Sequence, residues 1–246
     1  MPPRINNLAN ICKKVEELAR KTYKPVISDS TQNQSFTESK FGGKPFIHEQ
    51  KYPWPICECG DKQNFFLQLN SDTMPASLKV NENYFDGLLQ MFYCIKCSNY
   101  EPFSKTQNLR IVKKVDLNNS QTIDGSNQDV DEFPFKRISD WTEEIDYVHQ
   151  TELVEDVDES IQENYDALDY ISENYKTKAG EKFLGWPDWV QGVEYPNCRV
   201  CNNRMRFLFQ VDSEYNIPFM WGDVGCGHIS QCEQHKDEIT FTWACH

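Results

Sequence analysis

The chain has 246 residues, of which 39% are apolar and 13% aromatic, and it carries a formal net charge of −13. That much apolar material can bury a core, yet no run of about 18 apolar residues exists to span a bilayer. The acidity, with no broad basic face to offset it, argues against nucleic acid as a partner. The opening Met1-Pro2-Pro3-Arg4 lacks the apolar stretch of a secretory signal, so a reducing, cytoplasmic location is expected. An excess of Asn, Lys, Ile and Asp is the bias of an AT-rich genome, a protist's or that of a large virus infecting one. In the viral case the location is the host cytoplasm.

In chain order, residues 5–22 predict an amphipathic helix. Ile5, Leu8, Ile11, Val15 and Leu18 fall at helical spacing, and Pro25 is the expected stop. Asp29 to Glu38 is polar and reads as a linker, closing a first segment over 1–38. A first β-rich half over 39–116 has strands at Phe65–Leu69, Gly87–Tyr93 and Leu109–Val115, rich in aromatic and β-branched residues. The stretch 117–180 begins as a polar loop, Leu117 to Asp131, and continues as an acidic insert. Between Ser139 and Tyr175 there are thirteen Asp and Glu and no Lys or Arg, while the remainder of the chain balances 25 acids against 25 bases. Val154, Val157, Ile161, Tyr165, Leu168 and Ile171 recur there at helical spacing, predicting helices with an acidic outer face. Such a face is either a plain solvated surface or a landing site for a basic protein. A second β-rich half occupies 181–246.

The second half echoes the first. Phe41-Gly42-Gly43-Lys44-Pro45 is followed by Tyr52-Pro53-Trp54-Pro55, then Cys57-Glu58-Cys59, then Phe65-Phe66-Leu67-Gln68-Leu69. Later come Phe183-Leu184-Gly185-Trp186-Pro187, Tyr195-Pro196, Cys198-Arg199-Val200-Cys201 and Phe207-Leu208-Phe209-Gln210-Val211. The shared order predicts a duplicated unit. Cys94-Ile95-Lys96-Cys97 follows the first strand pair, and Cys232-Glu233-Gln234-His235 stands at the equivalent place in the second half. Two candidate zinc sites result: Cys57, Cys59, Cys94 and Cys97; and Cys198, Cys201, Cys232 and His235. Close pairs of thiolates and imidazoles suit tetrahedral zinc, and four protein ligands leave no open position, which makes the role structural. The competing reading is free cysteine packed as a small apolar group. Cys57-Glu58-Cys59 is one residue short of the usual knuckle. Cys226, His228, Cys245 and His246 are substitutes for a ligand of the second site, and Cys12 reads as packed on its helix.

With these motifs, with Gly87-Leu88-Leu89-Gln90, and with Pro218-Phe219-Met220-Trp221-Gly222-Asp223 and Phe241-Thr242-Trp243, the chain resembles the YwqG-like family of uncharacterised proteins over 39–246. The resemblance implies an α+β fold of two pseudo-symmetric, mainly antiparallel β units with few helices. A more distant architectural likeness is to the programmed cell death protein 2 family, whose members resemble chaperones of a basic ribosomal protein. That likeness suggests a basic client for the acidic segment 139–175. The expected function is a non-enzymatic binding or scaffold module. The enzymatic alternative places an aromatic pocket near Trp186, Trp189 and Trp221, with Asp223, His228 and Glu238 as its polar groups. Gly222, Gly225 and Gly227 read as a hairpin turn.

Overall fold

Runs of aromatic and β-branched residues fold into ten strands of a single antiparallel sheet, with few helices beside it. The computed structural model describes residues 4–30, 35–75, 78, 84–96, 107–117, 122–123 and 132–246. Its elements are α1 (Arg4–Glu17), β1 (Arg20–Ser28), β2 (Lys40–Phe41), β3 (Ile47–His48), β4 (Asn64–Asn70), β5 (Gly87–Tyr93), β6 (Gln107–Lys113) and β7 (Thr122–Ile123). They continue as β8 (Lys136–Asp146), α2 (Tyr165–Asn174), β9 (Lys182–Leu184), β10 (Arg206–Asp212), β11 (Cys226–Gln231) and β12 (Ile239–Ala244). The large sheet has the order β12-β11-β10-β9-β1-β8-β2-β4-β5-β6, and β3 pairs with β7 apart from it. It curls until β6 and β12 lie side by side. Trp243 Nε1 then donates to the Tyr93 hydroxyl at 3.1 Å, so the sheet is almost a closed barrel. No helix among the described residues is long and apolar enough to cross a membrane.

This strand order is a palindrome around the β1–β8 pair, as a duplication requires. Strands β2-β4-β5-β6 on one side correspond to β9-β10-β11-β12 on the other. The match extends to irregularities. β4 carries a bulge between Phe65 and Leu67, and β10 carries one between Phe207 and Phe209. Gln68 accepts from the Phe46 N–H at 3.1 Å and donates to the Phe36 and Glu38 carbonyls. Its counterpart Gln210 accepts from the Asp188 N–H at 2.9 Å and donates to the Gly180 carbonyl. Both amides are fully buried, and each satisfies a covering loop that would otherwise leave backbone groups unpaired.

Inside the barrel lies the main core, centred on Phe41, Phe66, Tyr93, Phe209, Trp221 and Phe241. A second core joins α1, α2 and the turn at Trp186 through Ile11, Val15, Leu153, Ile171 and neighbours. Between the two sits a buried ion pair. Lys182 Nζ donates to Asp146 Oδ2 at 2.9 Å, and both side chains are 0% exposed. Asp146 also accepts from the backbone N–H groups of Lys178 and Trp186. The chain can pass this close only because residue 185 is glycine. It adopts φ +85°, and a Cβ there would stand 2.3 Å from Asp146 Oδ2.

Three local expectations are corrected. The N-terminal helix stops at Glu17, and Arg20–Ser28 is a strand rather than the end of that helix. Thr22 and Tyr23 are drawn between β8 and β9, where tertiary pairing outweighs the helical period that Leu18 continues. Pro25 lies within this strand and not after a helix. It is tolerated because β9 pairs only with Thr22 and Tyr23. The acidic segment opens as strand: Ser139–Asp146 belongs to β8, whose Ile138 is buried, and only the later part is helical. There, short turns at Gln150–Glu152, Leu153–Val157 and Glu159–Ile161 lead into α2. The strand expected over Leu109–Val115 ends at Lys113. Cys97, part of the linker at 31–34, and most of the loop 117–131 lie outside the described residues.

Candidate metal centre

Each knuckle is a tight hairpin that precedes a long strand. In the second half, the Cys198 N–H donates to the Asn203 carbonyl and the Met205 N–H to the Pro196 carbonyl. In the first, the Cys57 N–H donates to the Asp61 carbonyl and the Gln63 N–H to the Pro55 carbonyl. The two hydrogen-bonded frames are the same, with one residue fewer inside the first. That missing residue is the short Cys57-Glu58-Cys59 spacing seen from the backbone.

The second-half cluster has four ligand atoms, from Cys198, Cys201, Cys232 and His235, all within 4.8 Å of one another. The Cys201 and Cys232 sulfurs are 3.7 Å apart. His235 Nδ1 lies 3.8 Å from the Cys198 sulfur and 3.6 Å from that of Cys232. A tetrahedral ion with metal–sulfur bonds of about 2.3 Å needs sulfurs about 3.8 Å apart, so these edges are those of a zinc-sized tetrahedron. They are also far too long for a disulfide. Backbone N–H groups of Val200 and His235 point at the Cys198 and Cys232 sulfurs at 3.4 and 3.3 Å. Burial opposes ionisation of Cys232, but the N–H groups of His235 and Gln234 and the neighbouring thiols outweigh it and lower its pKa. Donors already aimed at sulfur favour the thiolate that a metal binds.

In the first half the structure gathers Cys57, Cys59 and Cys94. The shortened turn still brings Cys59 and Cys94 to 3.7 Å. Cys57 and Cys94 are buried and Cys59 is exposed. The fourth expected ligand, Cys97, lies outside the described residues. Neither cluster includes Cys12, Cys226, Cys245, His228 or His246. Cys226 is buried in β11, which raises its pKa well above the ordinary value. Sequence reasoning does not single out Met205, which packs against Cys198 and Cys232, and it places Glu238, whose carbonyl accepts from the Cys232 N–H, in a catalytic group rather than beside this cluster. The repeat carries a signal for Met205, because it aligns with Gln63 in the first frame.

The groups considered for catalysis do not meet. Asp223 is exposed on the turn after Trp221, and Glu238 pairs with Arg199 beside the second cluster. Between them runs β11, six residues or about 20 Å long. His228 sits midway, fully buried against Trp189 and Phe207. Burial first, and then the Lys182 charge, push its pKa down to about 3, so it is neutral at ordinary pH. Trp221 is 1% exposed within the main core, so solid packing occupies that part of the expected aromatic pocket, whereas Trp186 lines an open cleft.

A family model described as a domain of unknown function, DUF1963, matches residues 39–245, the span that carries the resemblance to YwqG-like proteins. No curated protein matches the chain.

Proposed function

The chain belongs to the DUF1963 family, and from that premise we propose a non-enzymatic binding module whose duplicated β units are each stapled by structural zinc. The observation that carries this reading is the four-ligand cluster of Cys198, Cys201, Cys232 and His235 at tetrahedral spacing. A closed set of this kind holds a hairpin to the following strand and supplies folding energy without an open position for water. Cys57, Cys59 and Cys94, with Cys97 as the expected fourth ligand, form the second staple. Protein purified without added metal is expected to hold about two zinc per chain by elemental analysis, and about one after Cys198→Ser. Zinc-free protein with an intact fold would make the cysteines ordinary core residues.

For the partner surface, we propose the outer face of α2, binding a basic protein. Much of the acidic segment is already spoken for: Glu143 pairs with Lys21, Glu144 with Lys178, Asp156 with Arg204 and Asp158 with Lys14. Exposed along and just before α2 are Glu163, Asp169 and Glu173, beside the exposed rings of Tyr165 and Tyr170. Acids flanked by aromatic anchors suit a Lys/Arg-rich segment. A polylysine peptide is expected to bind and to weaken as salt rises from about 50 to 300 mM. Charge reversal at Glu163, Asp169 and Glu173 should abolish that binding, and indifference to either change would sink the assignment.

A further inference from the structure

A cleft of 660 Å³ opens between the start of β1, the Gly185–Trp186 turn and the residues that follow the second knuckle. Its size is that of small-molecule sites. Three guanidinium groups stand in it on aromatic faces. Arg20 lies 3.2 Å from the centroid of Trp186, Arg204 3.9 Å from Tyr195, and Arg206 4.3 Å from Tyr84. In a chain of net charge −13, the cleft is lined by four bases, these three and Lys21, against the three acids Glu152, Asp156 and Glu233.

The bases are not equally committed. Arg204 is neutralised by Asp156 at 2.5 Å and Glu152 at 3.8 Å. Glu152 is also engaged elsewhere, accepting from Trp189 Nε1 and the Tyr195 hydroxyl. Arg20 is different. Among the described residues no carboxylate lies within ion-pair distance of it. Its polar contacts are the Tyr195 hydroxyl and, at 3.5 Å, the Gly185 carbonyl. The surrounding cleft walls lower its pKa, while the residue itself stays exposed to solvent. An exposed guanidinium held on a ring, with Glu152 and Asp146 acting on it only from beyond ion-pair distance, is an arrangement that accepts a carboxylate or phosphate in a forked hydrogen bond. With one face on Trp186, its other face is suited to stack a planar ring.

We propose that this cleft binds a small planar anion, a ring bearing a carboxylate or phosphate, with Arg20 as the principal anchor and Arg206 as the second cation. The test is calorimetric titration of the full chain at low salt with benzoate, adenosine monophosphate and inorganic phosphate. Saturable binding of either ring-bearing anion, at least tenfold tighter than inorganic phosphate, is expected, and which of the two wins identifies the anionic group. Arg20→Met keeps the stem on Trp186 and should weaken that binding at least tenfold. Arg20→Lys keeps the charge without the fork and should fall between. Circular dichroism of both variants separates loss of the site from loss of the fold. No saturable binding by the wild-type chain, phosphate bound as tightly as the ring-bearing anions, or full affinity retained by a folded Arg20→Met would each overturn the proposal.

Discussion

Replacing Asp146 by alanine is expected to remove about 3–5 kcal/mol of folding stability, the usual cost of breaking a fully buried pair. Three donors lose their acceptor at once: the Lys182 ammonium and the backbone N–H groups of Lys178 and Trp186. Burial already lowers the pKa of Lys182, with Asp146 as the main opposing influence. Without it the lysine must shed its proton or draw water into the gap between the cores. Urea unfolding measures the loss. Lys182→Met combined with Asp146→Leu should recover part of it, because the stranded charge is removed along with its partner. A loss of less than about 1 kcal/mol for Asp146→Ala would mean that the pair is solvated in solution, unlike the closed site described here.

Stripping metal from the second cluster is expected to be the other large effect. Cys198→Ser, or treatment with a strong zinc chelator, should lower the melting temperature by roughly 10–20 °C, equivalent to about 5 kcal/mol in a chain of this size. The reason is local. Around these ligands the buried apolar cluster is only Cys198, Met205 and Cys232, with Cys201 at its margin. The first knuckle instead leads into an aromatic cluster of Ile47, Trp54, Phe65 and Phe92. Cys57→Ser is therefore expected to cost less than Cys198→Ser in the same melting experiment. Equal losses would show that the aromatic cluster contributes nothing extra.

The repeat, the cluster of Cys198, Cys201, Cys232 and His235, and three members of the first cluster were legible in the sequence because they rest on short, fixed spacings that survive duplication. The aromatic strands β4 and β5 were legible for a similar reason: runs such as Phe65 to Leu69 permit few other fates. β1 and β8, the strands that join the halves, were not. Leu18 prolongs a helical period into the start of β1, and the acids of β8 look like a solvated surface until Glu143 and Glu144 are seen to meet Lys21 and Lys178. The cleft was out of reach as well. Arg20, Trp186 and Arg204 come from three distant segments, and no local pattern announces that they converge.

The position of β1 has a consequence for how the protein is made. It precedes both of its partners in the chain, and one of them, β9, lies about 160 residues further on, as the bond from the Thr22 hydroxyl to the Leu184 carbonyl illustrates (a separation of 162). The first unit can pair β4, β5 and β6 as soon as they emerge. β1 must then wait for β8 on one side, and for nearly three quarters of the chain on the other. Contacts of such long range are slow to form and leave an unpaired strand edge exposed meanwhile. The β1–β9 pairing is what joins the second set of strands to the sheet, so that edge of β1 stays open until β9 has formed.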